Sequence, residues 1–405
     1  MNRAATRLLL LLASLLLLPG CWNRVELNEI AIVSATGVDW HDGIWEVSFQ
    51  TIVPQAMASR TGGSQRAEVN VFSTKGDLYS AAVSRASQEM SRGLFFAHNQ
   101  IIVVGEEAAR RGLGPVMEVY LRNPDNRMTA NIFLAKGKAR RMLEQLVLPE
   151  QIPGAAIQRM ANNEEQESFS FRPMSMHATM LELLEGTQAV GIPGLTLAGT
   201  GQSADSIKQL GRTRLPSQVR LEQLGLIVGD QLVGWASTEQ SRGIMWLSNH
   251  IGKTTISIPC EPDKATPKQT SVSIMKSTTA RKPEWHNGKW RMHVDIKVEA
   301  VPGEYNCSKK LELRGQMNAI EQLIEQEVHK IAMNGWKAVR KHRADVIGFG
   351  DLIRKKYPRQ WKDIRGEWRE MFPQTDVIVT VKANMMSGGK DASNFKKMQE
   401  DARSK

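Results

Sequence analysis

The chain has 405 residues, and its 53 Lys and Arg against 42 Asp and Glu leave a formal charge of +11. That length gives two or three domains of roughly 100–200 residues each, so each half is long enough to bury its own core. The three cysteines show neither Cys-x-x-Cys nor His-rich spacing, which excludes a sequence-encoded metal knuckle, and the eight histidines are scattered singly.

The first element is a leader. Arg3 and Arg7 precede an apolar run, Leu8 to Leu18, interrupted only by Ser14, which closes in Leu18-Pro19-Gly20-Cys21. A positive start, an apolar stretch of about 7–15 residues and a small residue before the cut make a signal peptide. A membrane span needs about 20 apolar residues to cross ~30 Å of hydrocarbon, and Pro19, Gly20, Asn23, Arg24 and Glu26 end this run early. Leu, then a small residue, then Cys at the cut resemble the bacterial lipobox, in which the cysteine thiol receives a diacylglyceryl group. The expectation is removal of residues 1–20 and a mature chain held on a membrane, outside the cytoplasm, through Cys21. An ordinary secretory peptide followed by a chance cysteine is the alternative. For an exported protein the basic balance implies anionic headgroups and wall polymers rather than nucleic acid.

After Cys21-Trp22-Asn23-Arg24-Val25-Glu26-Leu27-Asn28, the run Ile30 to Trp40 is β-rich, His41-Asp42-Gly43 carries an Asp-Gly turn, and Ile44 to Val53 alternates. Pro54 to Arg66 has no apolar period and reads as a loop. A strand follows over Glu68 to Ser73, then a helix over Asp77 to Met90 from the spacing of Leu78, Ala81, Ala82, Ala86 and Met90. The block Phe96-Ala97-His98-Asn99-Gln100 runs through an apolar strand into Gly105-Glu106-Glu107, a helix start whose two carboxylates suit the dipole. A turn at Arg122 to Arg127, a strand at Met128 to Ala135, and helices at Lys138 to Val147, Pro153 to Asn162 and Met174 to Leu184 complete this half. Pro193-Gly194 and then Gly199 to Pro216 form the most linker-like stretch. The domains are therefore predicted as 21–200, a linker at 201–217, and 218–386.

The second half opens with a hairpin, Val219 to Val228 and Gln231 to Trp235, and a short helix toward Leu247. Strands follow at Thr254 to Pro259, Gln269 to Ser277 and Lys289 to Glu299, the last after an Asn287-Gly288 turn. A long helix places Ile320, Leu323, Ile324, Val328, Ile331 and Trp336 on one side and Glu321, Glu325, Lys337 and Lys341 on others. Asp345-Val346-Ile347-Gly348-Phe349-Gly350 leads through Tyr357-Pro358, Trp361, Trp368 and Phe372-Pro373 to a closing strand, Asp376 to Val381. Trp361, Ile364, Trp368 and Phe372 are expected on one helical face as core anchors. The basic runs Lys337 to Arg343 and Arg354 to Arg359 read as a surface for anionic lipid or a partner, or as solvated helix faces. Residues 387–405 form a polar tail, expected to be disordered. With Cys21 acylated, Cys260 and Cys307 remain as one pair in a disulfide-tolerant compartment, open between a bridge and two buried thiols.

The mature start Cys21-Trp22-Asn23-x-x-Glu26-Leu27-Asn28 and the series from Asp345 to Pro373 resemble the Ger(x)C family, the C-subunit lipoproteins of spore germinant receptors, over nearly the whole mature chain. The resemblance implies three domains, the first half containing two of them. It also implies a non-enzymatic, lipid-anchored subunit in the spore inner membrane, assembled with two integral-membrane subunits, A and B, and needing no cofactor. The fold expected from the elements is α+β, a mixed N-terminal half and a C-terminal antiparallel sheet covered by the long helix.

No catalytic motif assembles in the sequence. Gly252-Lys253-Thr254 has the end of a phosphate loop, but its first Gly would fall at Leu247. Gly348-Phe349-Gly350 lacks the third Gly of a dinucleotide fingerprint, and there is no Gly-x-Ser-x-Gly or His-Glu-x-x-His. Two other functions fit an exported lipoprotein, a solute-binding component of a transporter and a wall hydrolase, and the hydrolase requires paired carboxylates that the sequence does not set together.

Overall fold

The computed structural model describes residues 28–54, 67–150, 152–167, 170–200, 204–206, 215–259, 270–305 and 314–386, with the single residues Arg3, Glu26 and Gln209. The rest of the leader, Cys21, Cys260, Cys307 and the tail 387–405 lie outside the described residues.

The expected first hairpin forms from β1 (Ile30–His41) and β2 (Ile44–Ile52). Its Asp42-Gly43 turn takes positive φ at both residues, 49° and 84°, the backbone that matches strand twist in a two-residue loop. β3 (Val69–Gly76) pairs outside β2. The helix expected over Asp77 to Met90 is two short ones, α1 (Tyr79–Ser84) and α2 (Ala86–Glu89). After β4 (Gly93–Phe95) and β5 (Ile101–Gly105), the Glu106-Glu107 start opens α3 (Glu106–Arg111), followed by α4 (Gly114–Arg122) and β6 (Asn131–Ala135). Three helices then lead to a strand: α5 (Ala139–Glu144), α6 (Pro153–Glu167), α7 (Met176–Leu184) and β7 (Ala189–Gly199).

The structure departs from the expected division at 201–217. That stretch joins β7 to β8 (Ser217–Val228), and the two pair antiparallel from Ala189↔Val228 to Gly199↔Ser217. Within it Ala204 is fully buried, its N–H donating to Gln145 Oε1 at 3.0 Å. With β9 (Gln231–Ala236), β8 completes a sheet ordered β3-β2-β1-β5-β6-β7-β8-β9, so strands of the second half finish the sheet of the first. Pro193 and Gly194, read as linker residues, lie inside β7. Gly194 is there because the strand passes close under its neighbours: a Cβ would sit 2.7 Å from the Trp235 ring and 2.9 Å from Glu222 O.

α8 (Thr238–Leu247) starts with a complete capping box, Ser237 and Gln240 each bonding the other's backbone N–H. It leads to the second sheet, β10 (Thr254–Ile258), β11 (Thr270–His286), β12 (Lys289–Tyr305) and β13 (Asp376–Met385), in that order. The first three strands are antiparallel, as expected. β13 pairs parallel to β12, because the helices between them carry the chain back to the edge where β12 begins. Those helices are α9 (Arg314–His342), α10 (Phe349–Lys356), α11 (Pro358–Ile364) and α12 (Trp368–Met371), with a 3-10 turn at Phe372–Gln374.

The apolar side of α9 is buried as its spacing required, Ile324, Val328 and Ile331 at 0–4 % exposure. Glu321 and Glu325 do more than face water. Their carboxylates accept from Met385 N (2.8 Å) and Ala383 N (3.1 Å) on the open edge of β13, which blunts an edge that would otherwise present bare N–H groups. α8 crosses α9 at a pair of glycines. A Cβ on Gly243 would lie 2.1 Å from Ile331 O, and one on Gly335 would lie 2.4 Å from Gly243 C. Gly243→Ala is expected to push the helices apart and cost about 1–3 kcal/mol, measured as a lower unfolding midpoint. A midpoint equal to that of the unaltered protein would mean the crossing is not close-packed.

Candidate functional site

The site grows from the turn that ends α9. Arg343 takes φ 51° and Gly348 φ 74°, so the chain reverses and delivers Asp345 against the start of α10. Asp345 is 4 % exposed. Its Oδ1 accepts from Phe349 N at 2.9 Å, and its Oδ2 accepts from Gly350 N at 2.7 Å and from the Trp368 indole N–H at 2.9 Å. Burial pushes this carboxyl up to about 7, against the lowering effect of the three donors. Gly350 leaves no room for a side chain: a Cβ would come within 2.7 Å of Trp368 Nε1 and 2.8 Å of Trp361 Cη2. The spaced Asp, glycines and tryptophans are thus one packing unit.

An aromatic cluster backs that unit. Ring centroids are 5.7 Å apart for Trp361 and Trp368, 6.0 Å for Trp368 and Phe372, and 5.1 Å for Trp336 and Phe372. Trp361, Trp368 and Phe372 are all buried, as expected of core anchors. They sit on α11, α12 and the 3-10 turn rather than on one helical face. The chain breaks at Arg365 to Glu367, so convergence comes from three short pieces folding around Asp345.

The same turn is bolted to the first half of the chain. Thr187 Oγ1 donates to Asp345 O at 3.1 Å. Between the halves lies a cavity of about 210 Å³ whose polar lining includes Arg172, Glu182, His250, Arg281, Asp345 and Asp351. Arg281 Nη1 donates to Ile347 O at 2.7 Å, and burial lowers its pKa while Asp345 and Asp351 oppose the shift. Arg172 pairs with Glu182 and donates from Nη1 to His250 Nε2 at 2.8 Å, so His250 holds its proton on Nδ1, 2.9 Å from Ser248 Oγ. Burial first, then the charges of Arg172 and Arg281, hold His250 down to about 4. Both nitrogens of His250 and both oxygens of Asp345 are engaged. The arrangement braces two halves of the molecule, and the Ser248 hydroxyl beside His250 donates its proton to Ile244 O at 2.8 Å.

None of Arg172, His250 and Arg281 stood out in the sequence. They come from the turn before α7, the residues after α8 and the middle of β11, and no local spacing links them. Asp345 stood in a recognisable series, but its role as acceptor depends on Trp368, 23 residues away. The basic run Arg354 to Arg359 is partly tied down: Arg354 lies 3.4 Å from Asp351 and 3.7 Å from Glu185, and Lys356 donates to Pro283 O at 3.3 Å. Among the described residues no group of His, Cys, Asp and Glu is placed to hold a metal, and no helix is long and apolar enough to cross a membrane.

Comparison with known proteins puts this architecture in a class. Residues 23–197 match the family described as "Spore germination protein N-terminal domain", and residues 222–389 match "Spore germination B3/ GerAC like, C-terminal". The first match ends within β7 and the second begins within β8, whereas the large sheet continues to Ala236. The chain belongs to the Ger(x)C family of spore germination proteins. It is 30 % identical to "Spore germination protein KC" of Bacillus subtilis (strain 168), covering 94 % of both chains. It is 23 % identical to "Spore germination protein B3" of the same organism, covering 96 % of this chain and 99 % of that one. The fold is that of the solved structure titled "Crystal Structure of the GerBC protein", with TM-score 0.55 and 16 % identity, over 87 % of this chain and 96 % of that one.

Proposed function

We propose that this chain is the lipid-anchored C subunit of a nutrient germinant receptor, a non-enzymatic component assembled with two integral-membrane subunits, A and B, on the outer face of the spore inner membrane. The observation that carries the proposal is similarity to Spore germination protein KC along 94 % of both chains, rather than within one motif. The leader ending in Leu18-Pro19-Gly20-Cys21 supports the anchor. A diacylglyceryl group on Cys21 confines the domains to the membrane, where the effective concentration for membrane partners is high without a large interface. Metabolic labelling with a tagged fatty acid is expected to mark the unaltered protein and leave Cys21→Ala unmarked. Equal label in both removes the anchor. Affinity capture from detergent-solubilised spore membranes is expected to recover the A and B subunits with the unaltered protein, and recovery of neither would count against assembly.

A disulfide between Cys260 and Cys307 belongs to the same proposal. Ile258 at the end of β10 and Tyr305 at the end of β12 both register on Thr270, so the chain leaves toward each cysteine from the same end of the sheet. The bridge would restrict the unfolded chain by roughly 4 kcal/mol in the loop-entropy model. Mass spectrometry of non-reduced peptides is expected to find the two linked, and two free thiols would refute the bridge.

A further inference from the structure

A groove of about 530 Å³ lies where α9 ends and β12 begins, lined by Lys289, Lys337, Arg340, Lys341, Pro373 and Gln374. Four of these six side chains are cationic and none is acidic. The nearby acids are taken by other arginines: Glu370 pairs with Arg343, and Asp376 lies 2.9 Å from Arg291. Among the described residues, none of the four groove cations forms an ion pair. Charges at the end of α9 complement its dipole, but that accounts for a helix's last turn and not for Lys289, which the β11–β12 hairpin brings in from another element. At the same hairpin tip Trp285 is 51 % exposed, an unusual place for the largest apolar side chain.

The end of α9 packs beside the first half of the chain, where a Cβ on Gly234 in β9 would sit 2.2 Å from the His342 ring.

We infer that this groove, together with Trp285 on the hairpin that supplies Lys289, is a second membrane contact that takes the phosphate groups of anionic phospholipids and orients the lipid-anchored domains on the bilayer. Uncompensated lysines and arginines bind phosphate-bearing headgroups, and a half-exposed tryptophan suits the headgroup level. The occupant is a bilayer surface rather than a free anion because four cations without ion-pair partners and the half-exposed Trp285 on the same hairpin together match an anionic headgroup layer. The inference rests on the proposed membrane location, and its test uses a chain without the anchor so that the two are read separately.

The mature chain carrying Cys21→Ser, which has no acyl group, is sedimented with vesicles of phosphatidylcholine alone or mixed with phosphatidylglycerol. Binding to the mixed vesicles and not to the neutral ones is expected, weakening with salt. Lys337→Gln/Arg340→Gln/Lys341→Gln is expected to weaken it at least about tenfold. Lys282→Gln/Lys297→Gln/Lys382→Gln, which removes the same charge from exposed positions on the second sheet's open face, is expected to change it by less than about twofold. Melting curves of both triple variants show whether they fold, and a single Lys289→Gln serves if the groove triple does not. Equal loss in both triples would overturn the inference in favour of net charge. Absence of binding by the unaltered surface would overturn it outright. Binding of inorganic phosphate that competes the vesicles away at millimolar concentration would reassign the groove to a soluble anion. Fatty-acid labelling of Cys21 reads the anchor separately, so failure of one does not mimic failure of the other.

Discussion

Replacing Trp368 by alanine is expected to destabilise the C-terminal half by about 3–5 kcal/mol. The ring is 3 % exposed and packs between Trp361 and Phe372, so its removal leaves a large cavity. Its indole N–H also serves Asp345 Oδ2, so the substitution strips a donor from a buried carboxylate as well. Trp368→Phe separates the two effects, keeping most of the ring and losing the hydrogen bond, and is expected to fall between the parent and Trp368→Ala. Trp361→Ala leaves the Asp345 contacts intact and is expected to cost less than Trp368→Ala. Denaturant unfolding followed by circular dichroism measures all three. Midpoints near that of the parent would make the tryptophans surface residues with a binding role.

Asp345→Ala is expected to be comparably severe. It leaves Phe349 N–H, Gly350 N–H and the Trp368 indole without their acceptor in a buried site, at roughly 1–3 kcal/mol for each group left unmet. Asp345→Asn retains one accepting oxygen and costs less. The pH dependence has a defined sign. Unfolded, this carboxyl ionises near 3.8, and folded it holds its proton to about 7. Between those values the native state binds more protons than the unfolded state. The stability this group contributes is therefore full below 3.8 and is lost as pH rises toward 7. Asp345→Asn is expected to flatten the fall in unfolding free energy between about pH 4 and about pH 7. An unchanged slope would place the titration elsewhere.

How much of this was legible in the sequence depended on whether the signal was local. The two-residue turns at Asp42-Gly43 and Asn287-Gly288, the short helix α8 and the apolar stripe of α9 each lie within a short window, and each forms where it was expected. β7 was not legible because Pro193 and Gly194 carry the local signature of a linker. What keeps them in a strand is Trp235 pressing on Gly194 from β9, a contact made only after folding. The parallel pairing of β13 was hidden for the same reason, since strand direction is set by the path of the helices between β12 and β13. At the candidate site the series from Asp345 to Phe372 was visible as a pattern. Its meaning, three donors converging on one carboxylate, required the chain to break between α11 and α12. Arg172, His250 and Arg281 meet only because the second sheet docks on the first half, and nothing in their neighbourhoods marks them.

A role in nutrient germination is read out by release of dipicolinate from spores after a nutrient is added. In a strain with no redundant receptor, deletion of the gene is expected to abolish release, the wild-type gene to restore it, and Cys21→Ala to restore it only weakly, with lowered levels of the partner subunits. Normal nutrient-triggered release from the deletion strain would contradict the assignment and bring forward a lipoprotein that serves solute transport.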